Sequence, residues 1–201
     1  MLHDIDRTIE ELLKRQLPTN LVSPTTSDAT ATLHISFATP DTEFARHVPR
    51  PAIGLFLYDV RENLGLRNSE RLVEQRTSDS ASRKLAPLRI DCSYLVTAWA
   101  GGETPDLRTE HLLLGEVMKV LARYTEIPQA VLQGSLINQE FPMKALTLRP
   151  TLLNSIGEFW QAIGGKPKAA FNYTITASLV VDETLESIPL VIDKQISIGM
   201  K

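Results

Sequence analysis

A chain of 201 residues, 43% apolar and 22% charged, has the length and make-up of one soluble globular domain with its own core. A net charge of -3 excludes the basic excess on which nucleic-acid binding usually rests, and the single cysteine, Cys92, excludes an internal disulfide. The amino terminus is acidic and amphipathic, and no run approaches the roughly 18 apolar residues of a spanning helix, so neither a signal peptide nor membrane insertion is expected. The expected compartment is the cytoplasm, or a particle assembled there.

Residues 4–17 carry Ile5, Ile9, Leu12 and Leu13 at helical spacing, with Asp4 or Asp6 as the expected cap and Pro18 as the stop. Residues 18–30 are a polar connection without periodicity. A strand follows over 31–38, with Leu33, Ile35 and Phe37 on one face. Residues 39–51 form a loop with three prolines, anchored by Phe44. Such a loop is either a docked arm or a contact surface.

Residues 53–58 are apolar on both faces and predict a covered central strand with a polar exit at 59–63. After a turn at Gly65, residues 66–76 predict a charged edge strand carrying Arg67, Glu70, Arg71, Glu74 and Arg76, with residues 77–84 as its loop. Residues 88–100 predict a long half-buried strand. Ile90, Cys92, Tyr94, Val96 and Ala98 share one face; Asp91, Ser93, Leu95, Thr97 and Trp99 share the other.

A break at Gly101-Gly102 leads to a helix that starts at Thr104-Pro105-Asp106 and stops at Ile127-Pro128. Its apolar face is Leu113, Val117, Val120, Leu121 and Tyr124, opposite Glu116, Lys119, Arg123 and Glu126. Residues 128–149 hold only short apolar pieces, and no helix is assigned there. A third helix is expected from about Pro150, on Leu152, Leu153, Ile156, Phe159, Trp160 and Ile163, with Gly164-Gly165 as its stop. Strands over 171–181, 188–192 and 196–198 complete the chain. The fold class expected is α+β: a single domain, with a mixed, mostly antiparallel sheet of about six strands and three helices packed on it.

Catalytic and metal-binding patterns are weak. His3, His34, His47 and His111 have no second histidine or cysteine at metal spacing. Cys92 reads as a small buried hydrophobe, although His111 and Asp91 could be imagined as its base and orienter. No serine stands in a Gly-x-Ser-x-Gly frame, and the glycine pair lacks the phosphate-loop lysine. Trp160 belongs to an apolar stripe. Trp99 is either covered by a helix or exposed as an interface anchor.

Several runs in order carry a resemblance: Ile35-Ser-Phe-Ala-Thr-Pro-Asp41, Leu55-Phe-Leu-Tyr-Asp-Val-Arg-Glu-Asn-Leu64, the segment from Pro87 through Glu110-His-Leu-Leu-Leu-Gly-Glu-Val117 to Leu121, and Glu158-Phe-Trp-Gln-Ala-Ile-Gly-Gly165 with Tyr173. Together they resemble the amino-terminal domain of the cap, or tail terminator, proteins of extracellular contractile injection systems of the antifeeding-prophage and virulence-cassette type. The resemblance spans nearly the whole chain, as a single cap-like domain over residues 1–201.

It implies a structural protein without catalysis, cofactor or metal: a homohexameric ring that ends the inner tube, anchors the last sheath layer, and binds no nucleic acid. Assembly would be cytoplasmic, and the protein would leave as part of an extracellular or cell-associated particle. Some members carry a further carboxyl-terminal domain, which this sequence is expected to lack after Lys201. The expected subunit, tube or sheath contacts are Arg46, Arg50, Arg61, Glu62, Arg67, Glu70, Arg71, Glu74 and Trp99. The alternatives are a tail completion protein of a phage, or a small hydrolase or redox enzyme using Cys92 with His111.

Overall fold

The strand Leu88–Trp99 is the spine of the computed structural model, which describes residues 1–18, 32–67, 71–76, 80–101, 106–150, 155–181 and 186–189. In chain order the elements are α1 (Leu2–Gln16), β1 (His34–Ser36), a single helical turn (Phe44–His47), β2 (Ala52–Glu62), β3 (Arg71–Arg76), β4 (Ser80–Leu85) and β5 (Leu88–Trp99). Then come α2 (Leu107–Arg123), β6 (Lys144–Thr147), α3 (Ile156–Ala162), β7 (Ala170–Leu179) and β8 (Glu186–Pro189). Short 3-10 turns occupy Leu64–Leu66, Gln129–Val131 and Gly134–Leu136.

The main sheet has five strands in the order β1-β2-β5-β7-β6; β1 runs parallel to β2 and the other pairs are antiparallel. A second sheet, β3-β4-β8, is antiparallel throughout. The architecture is the expected single α+β domain.

One face of the main sheet is the apolar core. Ile90, Cys92, Tyr94, Val96 and Ala98 of β5 lie beside Phe171, Tyr173, Ile175 and Ala177 of β7, under Ile5, Ile9, Leu12 and Leu13 of α1 and Leu113, Val117, Val120 and Leu121 of α2. Each large side chain buried here contributes roughly 1.5–3 kcal/mol of transfer free energy.

The other face of β5 is also buried, which corrects the half-buried pattern read from the sequence. Polar side chains can lie there because they bond across strands. Thr176 Oγ1 donates to Asp91 at 2.6 Å, Ser93 and Thr174 meet at 3.3 Å, and Tyr58 donates to Asn172 at 2.8 Å. Buried polar groups cost little once they are paired.

The helix ends differ in detail from expectation. α1 starts at Leu2 without a side-chain cap, because Asp4 accepts from the Ser135 hydroxyl at 2.7 Å and Asp6 accepts from Tyr94 at 2.7 Å. Its end is as read: Pro18 drives Leu17 into the extended region. In α2, Asp106 is the cap, accepting from Arg108 N at 3.0 Å and Thr109 Oγ1 at 2.8 Å. That helix stops at Arg123, ahead of Ile127-Pro128, while Thr104 and Pro105 lie outside the described residues. α3 is short and capped by Ser155, whose hydroxyl accepts from Glu158 N at 3.2 Å; Leu152 and Leu153 lie outside the described residues. Its stop is as read, with Gly164 at φ +67.

Two strand assignments change. Residues 80–84, assigned to a loop, fall in β4, held between β3 and β8 by main-chain pairing that an apolar pattern does not announce. The described part of β3 starts at Arg71, and Leu66, assigned to the strand, instead belongs to the turn Leu64–Leu66 around Gly65; β3 is an edge of its sheet, as expected. Most of the carboxyl-terminal strands expected over 188–192 and 196–198 lies outside the described residues, as does the connection expected over 18–30 beyond Pro18.

Candidate assembly surfaces

Cys92 is fully buried on the core face of β5, and burial, with the charges of Asp91, Asp6 and Asp59, pushes its thiol up to about 12. Asp91 points to the opposite side of the strand, where it accepts from Thr176 and from Asn63 Nδ2 at 3.1 Å. His111 is exposed on α2. Nothing in this arrangement makes a thiolate at neutral pH or aims a base at the sulfur, so a Cys92–Asp91–His111 device has no geometry. Among the described residues, no group of three His, Cys, Asp or Glu is placed to hold a metal ion, and no helix is long and apolar enough to cross a membrane.

Five of the expected contact residues fall near the two ends of β2. Arg46, exposed on the helical turn, pairs with Glu43 at 2.7 Å, and Arg50 is half-buried just before the strand. Arg61, Glu62 and Arg67 lie at the far end. With 11 residues rising about 3.3 Å each, the two groups are about 30 Å apart.

Between them a β-bulge at Tyr58 shifts the phase of the strand. Leu57 faces Tyr94 and the core; past the bulge Val60 takes over that face opposite Cys92, and Asp59 and Arg61 turn to the side of Ser93 and Asp91. There Arg61 forks onto Asp59, Nε at 2.7 Å and Nη2 at 2.8 Å, and this bond above all raises its pKa. Glu62 and Arg67 approach to 3.4 Å across the turn toward β3. Arg71 and Glu74 belong to β3, described here only as backbone, and Glu70 lies outside the described residues.

Trp99 is engaged within the chain. Its ring stacks on Phe44 at 4.5 Å, its indole N–H donates to Thr97 at 3.0 Å, and the Lys168 ammonium sits 4.3 Å from its centroid. Lys168 also donates to the buried Glu110 at 2.6 Å, whose second oxygen accepts from Ala100 N at 3.3 Å. Gly54 makes room for this packing, since a Cβ there would stand 2.5 Å from Thr97 Oγ1. The proline-rich loop is therefore a docked arm, and Phe44 is its anchor.

The surface offers apolar positions the sequence reading passed over. Leu64, Leu66 and Leu85 are exposed where the chain enters and leaves the β3–β4 hairpin, and Leu146 and Leu148 are exposed on and beyond β6. β6 is an edge strand, partly covered where Ala145 N donates to Thr125 O and Ile127 N to Met143 O, each at 2.9 Å. Lys144 at its start is the kind of residue that guards a sheet edge, and was the available clue.

A model of the Pvc16 N-terminal domain matches residues 4–194. No curated protein matches the chain. Among solved structures, the sheath/tube terminator of PVC, an extracellular contractile injection system, in its extended state aligns over 100% of this chain and 64% of its own, with 20% identity and a TM-score of 0.69. The tube-terminating cap of the anti-feeding prophage aligns over 98% of this chain and 62% of its own, with 18% identity and a TM-score of 0.62. The chain thus spans less than two thirds of the length of these structures, and at such identities the likeness is one of fold.

Proposed function

The chain belongs to the Pvc16 N-terminal domain family, and from that premise we propose that it is a structural cap that ends the tube and sheath of a contractile injection particle. The observation that carries this reading is the likeness in fold, over the full chain, to a sheath/tube terminator. The role is one of shape and contact rather than catalysis, which suits a polar sheet face whose hydrogen bonds close on one another and a cysteine whose thiol is held protonated.

We read residues 1–201 as a single cap domain, closing as a homohexameric ring on the inner tube, with the last sheath layer as its second partner. A closed ring needs two different, complementary flanks on each subunit. Of the two charged groups at opposite ends of β2, Arg46 and Arg50 are cationic, whereas Arg61, Glu62 and Arg67 carry both signs, which favours register over raw affinity. Sheet edges such as β3 and β6 can accept a strand from a sheath subunit. Assembly takes place in the cytoplasm, and the cap leaves with the particle.

The reading is tested by light scattering after gel filtration, on the chain alone and mixed with the tube protein of the same system. A mass near six subunits, present with tube protein and lost in Arg61→Glu/Arg67→Glu while the circular dichroism is unchanged, is the expected result. A monomer that never associates with tube or sheath protein would overturn it.

A further inference from the structure

Beside the edge strand β6, a pocket of ≈ 330 Å³ is lined by Leu66, Ala86, Pro87, Arg89, Phe141, Pro142 and Lys144. Its walls are apolar, but its cationic member is unusual. Arg89 is only 8% exposed, and among the described residues its guanidinium has one hydrogen bond, from Nη2 to Pro142 O at 3.2 Å, together with the Phe141 ring at 5.0 Å.

Among the described residues, Arg89 Nε is buried without a partner. Directly across the strand pair lies Ser178, 5% exposed, whose hydroxyl is also buried without a partner. Two orphaned donors on facing residues of β5 and β7 are a costly arrangement, since each has given up its hydrogen bonds to water without a replacement. Asp91 on the same face does not relieve it, because that carboxylate is taken by Thr176, Asn63 and Arg149. Burial lowers the pKa of Arg89, opposed by the charge of Asp91. A guanidinium stays charged regardless, so its charge calls for an anion.

We infer that this pocket binds a carboxylate: the side chain of a glutamate or aspartate that a partner protein chain presents beside an apolar residue. The two oxygens of a single negative charge suit the fork of the Arg89 guanidinium, and the apolar neighbour fits against Leu66, Pro87 and Phe141. A phosphate would carry more oxygens than the guanidinium satisfies and would set the rest against that apolar wall. Lys144, exposed at the rim, adds positive charge along the approach. The half-buried Phe141 ring covering the guanidinium is the wall that must turn to admit the carboxylate. The inference goes beyond the cap reading and holds whether or not the chain ends a tube.

The test follows the arginine side-chain N–H signals by NMR in the full chain during titration with acetyl-leucyl-glutamate amide, acetyl-leucyl-glutamine amide and inorganic phosphate. The glutamate peptide should shift the Arg89 Nε–H signal, with the glutamine peptide weaker by about tenfold, the value of a charge-assisted contact. Arg89→Met should abolish the response. If Arg89→Met fails to fold, Arg89→Lys carries the comparison, and its backbone amide signals should respond to the glutamate peptide several-fold more weakly than those of the native chain. Equal responses to both peptides, no response, or a response to phosphate alone would each overturn the proposal.

Discussion

Phe44 lies stacked on Trp99, ring centroids 4.5 Å apart and planes inclined by 21°, and this contact fastens the proline-rich loop to the end of β5. Phe44 is 2% exposed, so Phe44→Ala leaves a cavity and frees the loop. Such a change costs about 3–5 kcal/mol, read as a lower urea midpoint. A change in tryptophan emission should accompany it. A loss under about 1 kcal/mol would mean that the loop is held elsewhere.

Asp4 gives a pH dependence of known sign. The Ser135 hydroxyl, and secondarily the Ser135 backbone N–H and His3, hold its pKa below the ordinary 3.8, at about 2, against the opposing effect of burial. A depressed carboxylate contributes stability above its unfolded value and loses it as pH falls through the folded one. The urea midpoint of the native chain should therefore drop between pH 3.8 and about 2 by more than that of Asp4→Asn. Parallel curves for the two proteins would refute the assignment.

Cys92 should be chemically silent. A thiol with its pKa near 12 yields almost no thiolate at pH 8, and the side chain is fully buried besides. An aromatic disulfide reagent should react with one thiol per chain in urea and none in the native state. Rapid native reaction at pH 8 would restore Cys92 as a candidate nucleophile.

The core was legible because its periodicities are long and unbroken. Ile5, Ile9, Leu12 and Leu13 repeat at helical spacing, and Ile90 through Ala98 alternate at strand spacing, so both buried faces could be read directly. The second face of β5 was not legible, since Asp91, Ser93 and Thr97 look solvated until Thr174 and Thr176 are set beside them. β4 has almost no apolar alternation and owes its form to β3 and β8. The bulge at Tyr58 leaves no mark in composition, yet it decides that Arg61 lies over Asp59 near Asp91. Arg89 looked like one polar residue of a long strand. Its pocket is walled by Phe141 and Pro142, more than fifty residues further along the chain.

The central claim is that this chain ends a tube. Electron microscopy of particles from producing cells that lack it is the most direct test. The account predicts tubes and sheaths of irregular length with open distal ends, restored to uniform capped particles when the chain is supplied again. Particles of normal length with closed tips in its absence would contradict the account.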